Sequence, residues 1–100
     1  MVSGEVDKMP VNELLSLMRH REVEIRWKAA RALGGAGTGA VEPLLSQLYD
    51  DDPGVRILTI WALGRIGDNR AVEPITRSLH DENFIVRMAS EGALSRITQS

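Results

Sequence analysis

Apolar residues recur along the chain with helical spacing, in segments that are separated by short polar or glycine-rich turns. Leu14, Leu15 and Met18 mark the first apolar stripe, and the richest run is PGVRILTIWALGRIG over residues 53–67. No segment alternates apolar and polar residues with a period of two, which is the pattern of a half-buried strand. The spacing of apolar residues therefore predicts a chain that forms helices and no strands.

The helical pattern occurs three times with a nearly fixed period. Ala40-Val41-Glu42-Pro43 returns as Ala71-Val72-Glu73-Pro74 after 31 residues, and Val55-Arg56 returns as Val86-Arg87. A period of this length, carried by helix-forming segments, indicates a stack of helical hairpins. We predict an all-α, right-handed α-solenoid of three hairpins and six helices.

Proline, glycine and capping residues divide the chain. We expect residues 1–9 to be a flexible N-terminal segment because they show no periodicity. Residues 10–100 form one domain, with repeats over about 10–39, 40–70 and 71–100. Asp52 and Asn83 are suited to cap the second helices of the last two repeats, and glycine favours the end of each helix at Gly34 and Gly67.

Alignment of the three copies separates shared positions from variable ones. Apolar residues recur at Val11, Val41, Val72; Leu14, Leu44, Ile75; Met18, Leu48, Leu79; Ile25, Val55, Val86; Leu33, Leu63, Leu94; and Ala36, Ile66, Ile97. We assign these shared positions to the core. The third copy departs from the second at four positions, where it has the polar residues Thr76, Ser90, Glu91 and Ser95. They predict a face open to water, and hence a complete short solenoid.

Over most of its length the chain resembles the HEAT-like repeats of the phycobilin-lyase type. The resemblance is clearest in VRILTIWALGRIGDNRAVEPI, residues 55–75, and extends from Pro10 to Ile97. It implies a docking scaffold, with a subunit or relative of a tetrapyrrole lyase as the alternative. The His-Glu dipeptides that bind iron in the similar repeats of deoxyhypusine hydroxylase are absent, since His20 and His80 are followed by Arg21 and Asp81.

Composition narrows the function further. The chain has 12 Lys and Arg against 14 Asp and Glu, which gives no global attraction for nucleic acid or acidic membranes. It has no cysteine, so thiol chemistry is excluded and a reducing, cytoplasmic location is expected. No apolar run approaches the roughly 20 residues of a membrane span, and no segment has the features of a signal peptide.

The histidines, the aspartate run and the glycine-rich segment do not have the spacing that metal or phosphate sites need. Two histidines are too few to hold a metal, the run Asp50-Asp51-Asp52 lacks calcium-loop spacing, and the glycines of residues 34–39 lack the ending of a phosphate loop. We therefore predict no catalytic residue, no metal and no cofactor. Arg26, Arg56 and Arg87 predict an Asp/Arg ladder between repeats that is incomplete where His20 replaces aspartate; an anion site is the alternative.

The variable positions of the second helices form an apolar stripe with arginines around it, and Phe84 and Ile85 lie near its edge. We predict that this stripe faces a concave surface and binds a partner. The candidate residues are Trp27, Arg31, Ile57, Leu58, Trp61, Arg65, Met88 and Arg96. Tryptophan, methionine and arginine are typical of interface centres. The alternative is that some of these side chains fold into a thin core.

The leading function is therefore non-catalytic recognition of a protein. A peptide, an amphipathic helix or a second copy of this chain would fit the stripe. Binding of nucleic acid by the arginines is a weaker alternative, because the chain carries almost no net charge.

Overall fold

The computed structural model describes residues 6–99, and regular structure in this range is entirely helical. The α-helices are α1 (Val11–Leu17), α2 (Val23–Gly34), α3 (Val41–Gln47), α4 (Pro53–Ile66), α5 (Val72–Ser78) and α6 (Phe84–Thr98). Successive helices pair as three hairpins, α1 with α2, α3 with α4, and α5 with α6. The prediction of an all-α solenoid with six helices is confirmed.

The helices form two layers. The longer second helices, α2, α4 and α6, pack side by side, with α4 in the middle, and α1, α3 and α5 cover one face of this row. Leu44, Ile60, Leu63 and Ile75 are among the large side chains that are fully buried between the layers. The opposite face of the second helices is left without a covering helix in the described part of the chain.

The first helices are shorter than the sequence indicates. The repeats predicted over 40–70 and 71–100 imply helices that begin at Ala40 and Ala71, but these alanines end 3-10 turns over Gly37–Ala40 and Asn69–Ala71. Both alanines are fully buried, so each turn anchors the link between two hairpins in the core. Over a single turn, a 3-10 helix and an α-helix both bring residues i and i+3 to one side, so the sequence of three or four residues does not distinguish them.

Part of the N-terminal segment packs against the repeats. Val6–Lys8 form a 3-10 turn, and the amide N–H of Met9 donates to the carbonyl oxygen of Val6 at 3.1 Å. Val6 is 2% exposed and belongs to the hydrophobic core. Residues 1–5, the rest of the segment predicted to be flexible, lie outside the described residues.

The predicted caps hold the second helices in place. The carboxylate of Asp52 accepts from the amide N–H of Gly54 at 2.8 Å, and Pro53 begins α4. The amide oxygen of Asn83 accepts from the N–H groups of Ile85 and Val86 at 2.8 and 3.1 Å. Gly67 ends α4 with φ 76°, a left-handed conformation that glycine adopts without strain.

Of the 18 shared positions assigned to the core, 11 are buried, six are half-buried and one is exposed. Ala36, assigned to the core, is exposed because α2 ends before it, at Gly34. Ser90, assigned to an open face, is fully buried, and its hydroxyl donates to the carbonyl oxygen of Val86 at 2.8 Å. That hydrogen bond satisfies the buried hydroxyl. Thr76, Glu91 and Ser95 are exposed, as expected.

Candidate protein-binding groove

An apolar groove runs along the seam between α4 and α6 on the uncovered face of the second helices. Its volume is about 530 Å³. Its lining comes almost entirely from apolar side chains and glycines: Trp27, Ile57, Trp61, Gly64, Phe84, Ile85, Met88, Ala89, Gly92, Ala93 and Arg96. Four of the eight candidate residues, Trp27, Ile57, Trp61 and Met88, therefore meet in one apolar site that ends at a fifth, Arg96.

One wall of the groove is a pair of tryptophans. The ring centroids of Trp27 and Trp61 lie 5.4 Å apart with an interplanar angle of 89°, an edge-to-face arrangement. The guanidinium carbon of Arg65 lies 5.3 Å from the centroid of the Trp61 ring, within cation–π distance. These contacts fix the indoles in place before any partner arrives, so the wall is preorganised.

The opposite wall comes from the first two turns of α6. Phe84, Ile85 and Met88 are 61%, 55% and 54% exposed. The sequence placed Phe84 and Ile85 near the edge of the stripe, whereas both line the groove. Large apolar side chains exposed together in one place are uncommon on a monomer and mark an interaction site.

Small residues form the floor of the groove. Gly64 and Ala93 let α4 and α6 approach closely, and Ala89 and Gly92 leave space beside this contact. A Cβ atom added at Gly92 would meet no other atom within 4 Å. Sequence reasoning placed Gly92 among the variable positions of the second helices without naming it as a binding residue, and it missed Gly64.

Leu58 does not belong to the groove. It is 4% exposed and packs in the hydrophobic core, so its prediction as a surface residue is wrong. Its equivalents, Lys28 and Ala89, lie on helices with only one second-helix neighbour. Because α4 is flanked on both sides, by α2 and α6, the same position becomes buried in the central repeat.

Cationic side chains collect at the C-terminal end of the second helices. Arg31 and Arg65 line a polar cavity of about 330 Å³ together with Val6, Asp7 and Lys28. Arg65 and Arg96 line a further cavity of about 420 Å³ next to the apolar groove. Arg31 is therefore separated from the apolar groove, whereas Arg65 and Arg96 lie at its end.

The Asp/Arg ladder connects the second and third hairpins. The guanidinium of Arg56 contacts the carboxylate of Asp81 through Nη2 at 3.1 Å and Nε at 3.0 Å, and its Nη1 donates to the carbonyl oxygen of Asp50 at 2.7 Å. Both side chains of the ion pair are largely buried. Arg56 and Arg87 therefore have structural roles, since Arg87 Nη1 likewise donates to the carbonyl oxygen of Asp81 at 2.8 Å.

The ladder is interrupted in the first repeat. The carboxylate of Asp50 pairs with Arg19 of α1, and Arg26 forms no ion pair among the described residues. His20 occupies the position that corresponds to Asp50 and Asp81, and it forms the same hydrogen bond to the backbone of the turn. Its Nδ1 accepts from the N–H of Glu22 at 3.0 Å, as the Asp50 carboxylate accepts from the N–H of Asp52 at 2.9 Å.

The two side chains whose pKa is shifted, Asp68 and Arg70, do not line the groove. The pKa of Asp68 is lowered because its carboxylate accepts hydrogen bonds from the side chain and backbone of Arg70, and the pKa of Arg70 is raised by the same contact. Within residues 6–99 no three His, Cys, Asp or Glu side chains converge as metal ligands. No helix in that range is long and apolar enough to cross a membrane.

Three stacked helical hairpins, with a groove on their second helices, define a helical-repeat protein. The sequence model of the family described as HEAT repeats matches residues 11–97. The chain belongs to the HEAT-repeat family. Such repeats mediate protein–protein interactions in general and are typically non-catalytic. No curated protein matches the chain.

Proposed function

We propose that the chain is a non-catalytic recognition module that binds a protein partner in the groove between α4 and α6. The observation that carries the proposal is the exposure of Phe84, Ile85 and Met88 opposite a preorganised pair of tryptophans. Since about 25 cal/mol is gained per Å² of apolar surface removed from water, covering these side chains provides a driving force for association.

The composition of the groove supports a protein as the occupant. Tryptophan, methionine and arginine are enriched at the centres of protein interfaces, and tryptophan and arginine are frequent energetic hot spots. The groove is open along its length and has small residues along its floor, which suits an elongated segment. Binding within the cytoplasm is part of the proposal and rests on the absence of cysteine.

Filling the groove from its floor tests the proposal without removing a core side chain. Gly92→Leu places a side chain in the groove from a position whose Cβ atom would lie in open space, and replacing a helical glycine favours folding by up to about 1 kcal/mol. Thr76→Leu is the matched control, because it adds the same side chain on α5 at the position where the second repeat has Leu45.

The immobilised native chain, Gly92→Leu and Thr76→Leu are compared for the proteins that each captures from an extract of the source cells. We expect the native chain and Thr76→Leu to capture the same protein and Gly92→Leu to lose it. Trp61→Ala should lose it as well. Capture that is identical for all four chains contradicts binding in the groove.

The resemblance to phycobilin-lyase repeats provides a different candidate, a subunit or relative of a tetrapyrrole lyase, and rests on the segment 55–75. Its test is the absorbance spectrum of the purified chain before and after addition of a bilin pigment. A visible band that stays with the native chain after free pigment is removed by gel filtration, and that is lost in Gly92→Leu, would favour the lyase-related function over protein recognition.

A further inference from the structure

The charges around the groove restrict the partner. Arg96 lines the groove, and Arg65 lies at its end, where both arginines line the adjoining polar cavity. Lys28 and Arg31 lie farther along, in a separate cavity that Arg65 also lines and to which Asp7 contributes a carboxylate. None of the four cations forms an ion pair within residues 6–99, where the ion pairs involve Arg19, Arg56, Arg70 and Arg77. An excess of cations therefore collects here although the whole chain has a net charge of −2.

The length of the groove restricts the partner further. Its lining along α6 extends from Phe84 to Arg96, which at 1.5 Å per residue is about 18 Å. That length matches roughly three turns of helix, which present apolar side chains at i, i+3, i+4 and i+7 on one face. The tryptophan wall and the Phe84–Met88 wall lie on either side of such a helix.

Charge also argues against a second copy of the chain as the occupant. Two copies docked through this groove would bring four arginines together, Arg65 and Arg96 of each copy, and no carboxylate of the described residues lines the groove. Like charges brought together at an interface cost affinity and suppress that pairing. A partner with carboxylates instead compensates the cations as it covers the apolar side chains.

We propose that the groove binds an acidic amphipathic helix of another protein, about three turns long, whose apolar face lies on Trp61 and Met88 and whose carboxylates meet Arg65 and Arg96. This inference rests on the proposed function, since it names the class of partner for the same groove. The apolar contacts provide most of the affinity, and the arginines select for acidic partners and set the orientation of the helix.

Synthetic helical peptides of about 16 residues test the proposal, because shorter isolated helices form poorly in water. Each peptide carries Leu at i, i+3, i+4 and i+7, and the three versions carry Glu, Gln or Lys at the same positions beside that apolar face. The chain has two tryptophans, both in the groove wall, so their fluorescence reports on its occupancy.

We expect the Glu peptide to bind about tenfold more tightly than the Lys peptide, with Gln between them, and the difference to shrink as salt is added. The double variant Arg65→Glu with Arg96→Glu should reverse the order of the Glu and Lys peptides. Gly92→Leu should abolish binding of all three, whereas Thr76→Leu should bind like the native chain. Thermal melts confirm that each variant is folded.

The outcomes separate this inference from the proposed function. Equal binding of the Glu and Lys peptides, or no binding of the Glu peptide, overturns the acidic helix. If Gly92→Leu loses the protein that the native chain captures from the cell extract, the proposed function of recognition through the groove is still supported. A dimer in light scattering that Gly92→Leu dissociates would make a second copy the occupant and overturn the acidic helix. Peptide binding and protein capture that are both unaffected by Gly92→Leu overturn both proposals.

Discussion

At the scale of single residues, two glycines in neighbouring second helices have opposite roles. A Cβ on Gly64 would lie 3.0 Å from Cβ and 3.1 Å from Cα of Ala93, so α4 and α6 touch at this position. A Cβ on Gly92 would lie in open space within the groove. The first glycine is therefore required for packing, and the second keeps the floor of the groove low.

The substitution Gly64→Ala should destabilise the chain by about 1–3 kcal/mol, because backbone atoms of Ala93 cannot move away from the added methyl group. Gly92→Ala should stabilise it by about 0.5–1 kcal/mol, since only the helix propensity changes. Urea denaturation of both variants measures the difference. Equal midpoints would contradict the close contact between α4 and α6.

The pair of half-buried Asp68 and exposed Arg70 predicts a dependence of stability on pH. The pKa of Asp68 in the folded chain is lowered below its ordinary value of 3.8, so its stabilising effect is complete above about pH 4 and is lost as the pH falls through the folded pKa. In Asp68→Asn the side-chain oxygen still accepts from the N–H of Arg70, but the negative charge is removed.

We expect the native chain to be more stable than Asp68→Asn at neutral pH and the two to converge under acidic conditions. Thermal melts of both chains across the acidic range measure this. A difference that persists far below pH 3.8, or that disappears well above it, would contradict the lowered pKa.

At the scale of helices and turns, each link between hairpins combines buried alanine with polar contacts. The ion pair of Arg56 with Asp81 joins α4 to the turn before α6, and Asp81 also accepts from the N–H of Asn83 at 2.8 Å. Removing one member of a buried pair leaves the other uncompensated, which costs more than the pair contributes.

Asp81→Ala should therefore destabilise the chain by about 3 kcal/mol. The matched control is Glu73→Ala, which removes an exposed ion pair with Arg77 on α5 and should cost no more than about 0.5 kcal/mol. Chemical denaturation of both variants measures the two costs. Equal costs would mean that the ladder contributes no more than a surface ion pair.

The elements were largely predictable from local sequence, and the exceptions have physical reasons. The caps at Asp52 and Asn83 depend on neighbouring backbone groups, so the sequence indicates them directly. The burial of Leu58 depends on two neighbouring helices, which no single repeat specifies. The Trp27–Trp61 contact joins two repeats, so the sequence predicted the stripe but not how the wall is built.

At the scale of the whole molecule, α4 is the element on which the others depend. It packs against α2, α3 and α6, and it contributes Val55, Ile60 and Leu63 to the fully buried set. In a stack of repeats, stability comes from each repeat and from its interfaces with its neighbours. The central repeat has interfaces on both sides and should be the most stable.

Amide hydrogen exchange should therefore be slowest in α4, faster in α2 and α6, and fastest in α1 and the 3-10 turn over residues 6–8. Local opening needs less free energy where fewer buried contacts are lost. Mass spectrometry of peptides from the exchanged chain measures this order. Uniform protection of all six helices would instead indicate unfolding as a single cooperative unit.

The edge-to-face indoles described above provide the chain with an optical signature. Trp27 belongs to the first hairpin and Trp61 to the second, and at 5.4 Å their electronic transitions are close enough to couple. Such coupling produces an exciton band in circular dichroism whose sign and strength depend on the angle between the rings. A change in how the first two hairpins stack would therefore alter that band, even if the helical content stayed constant.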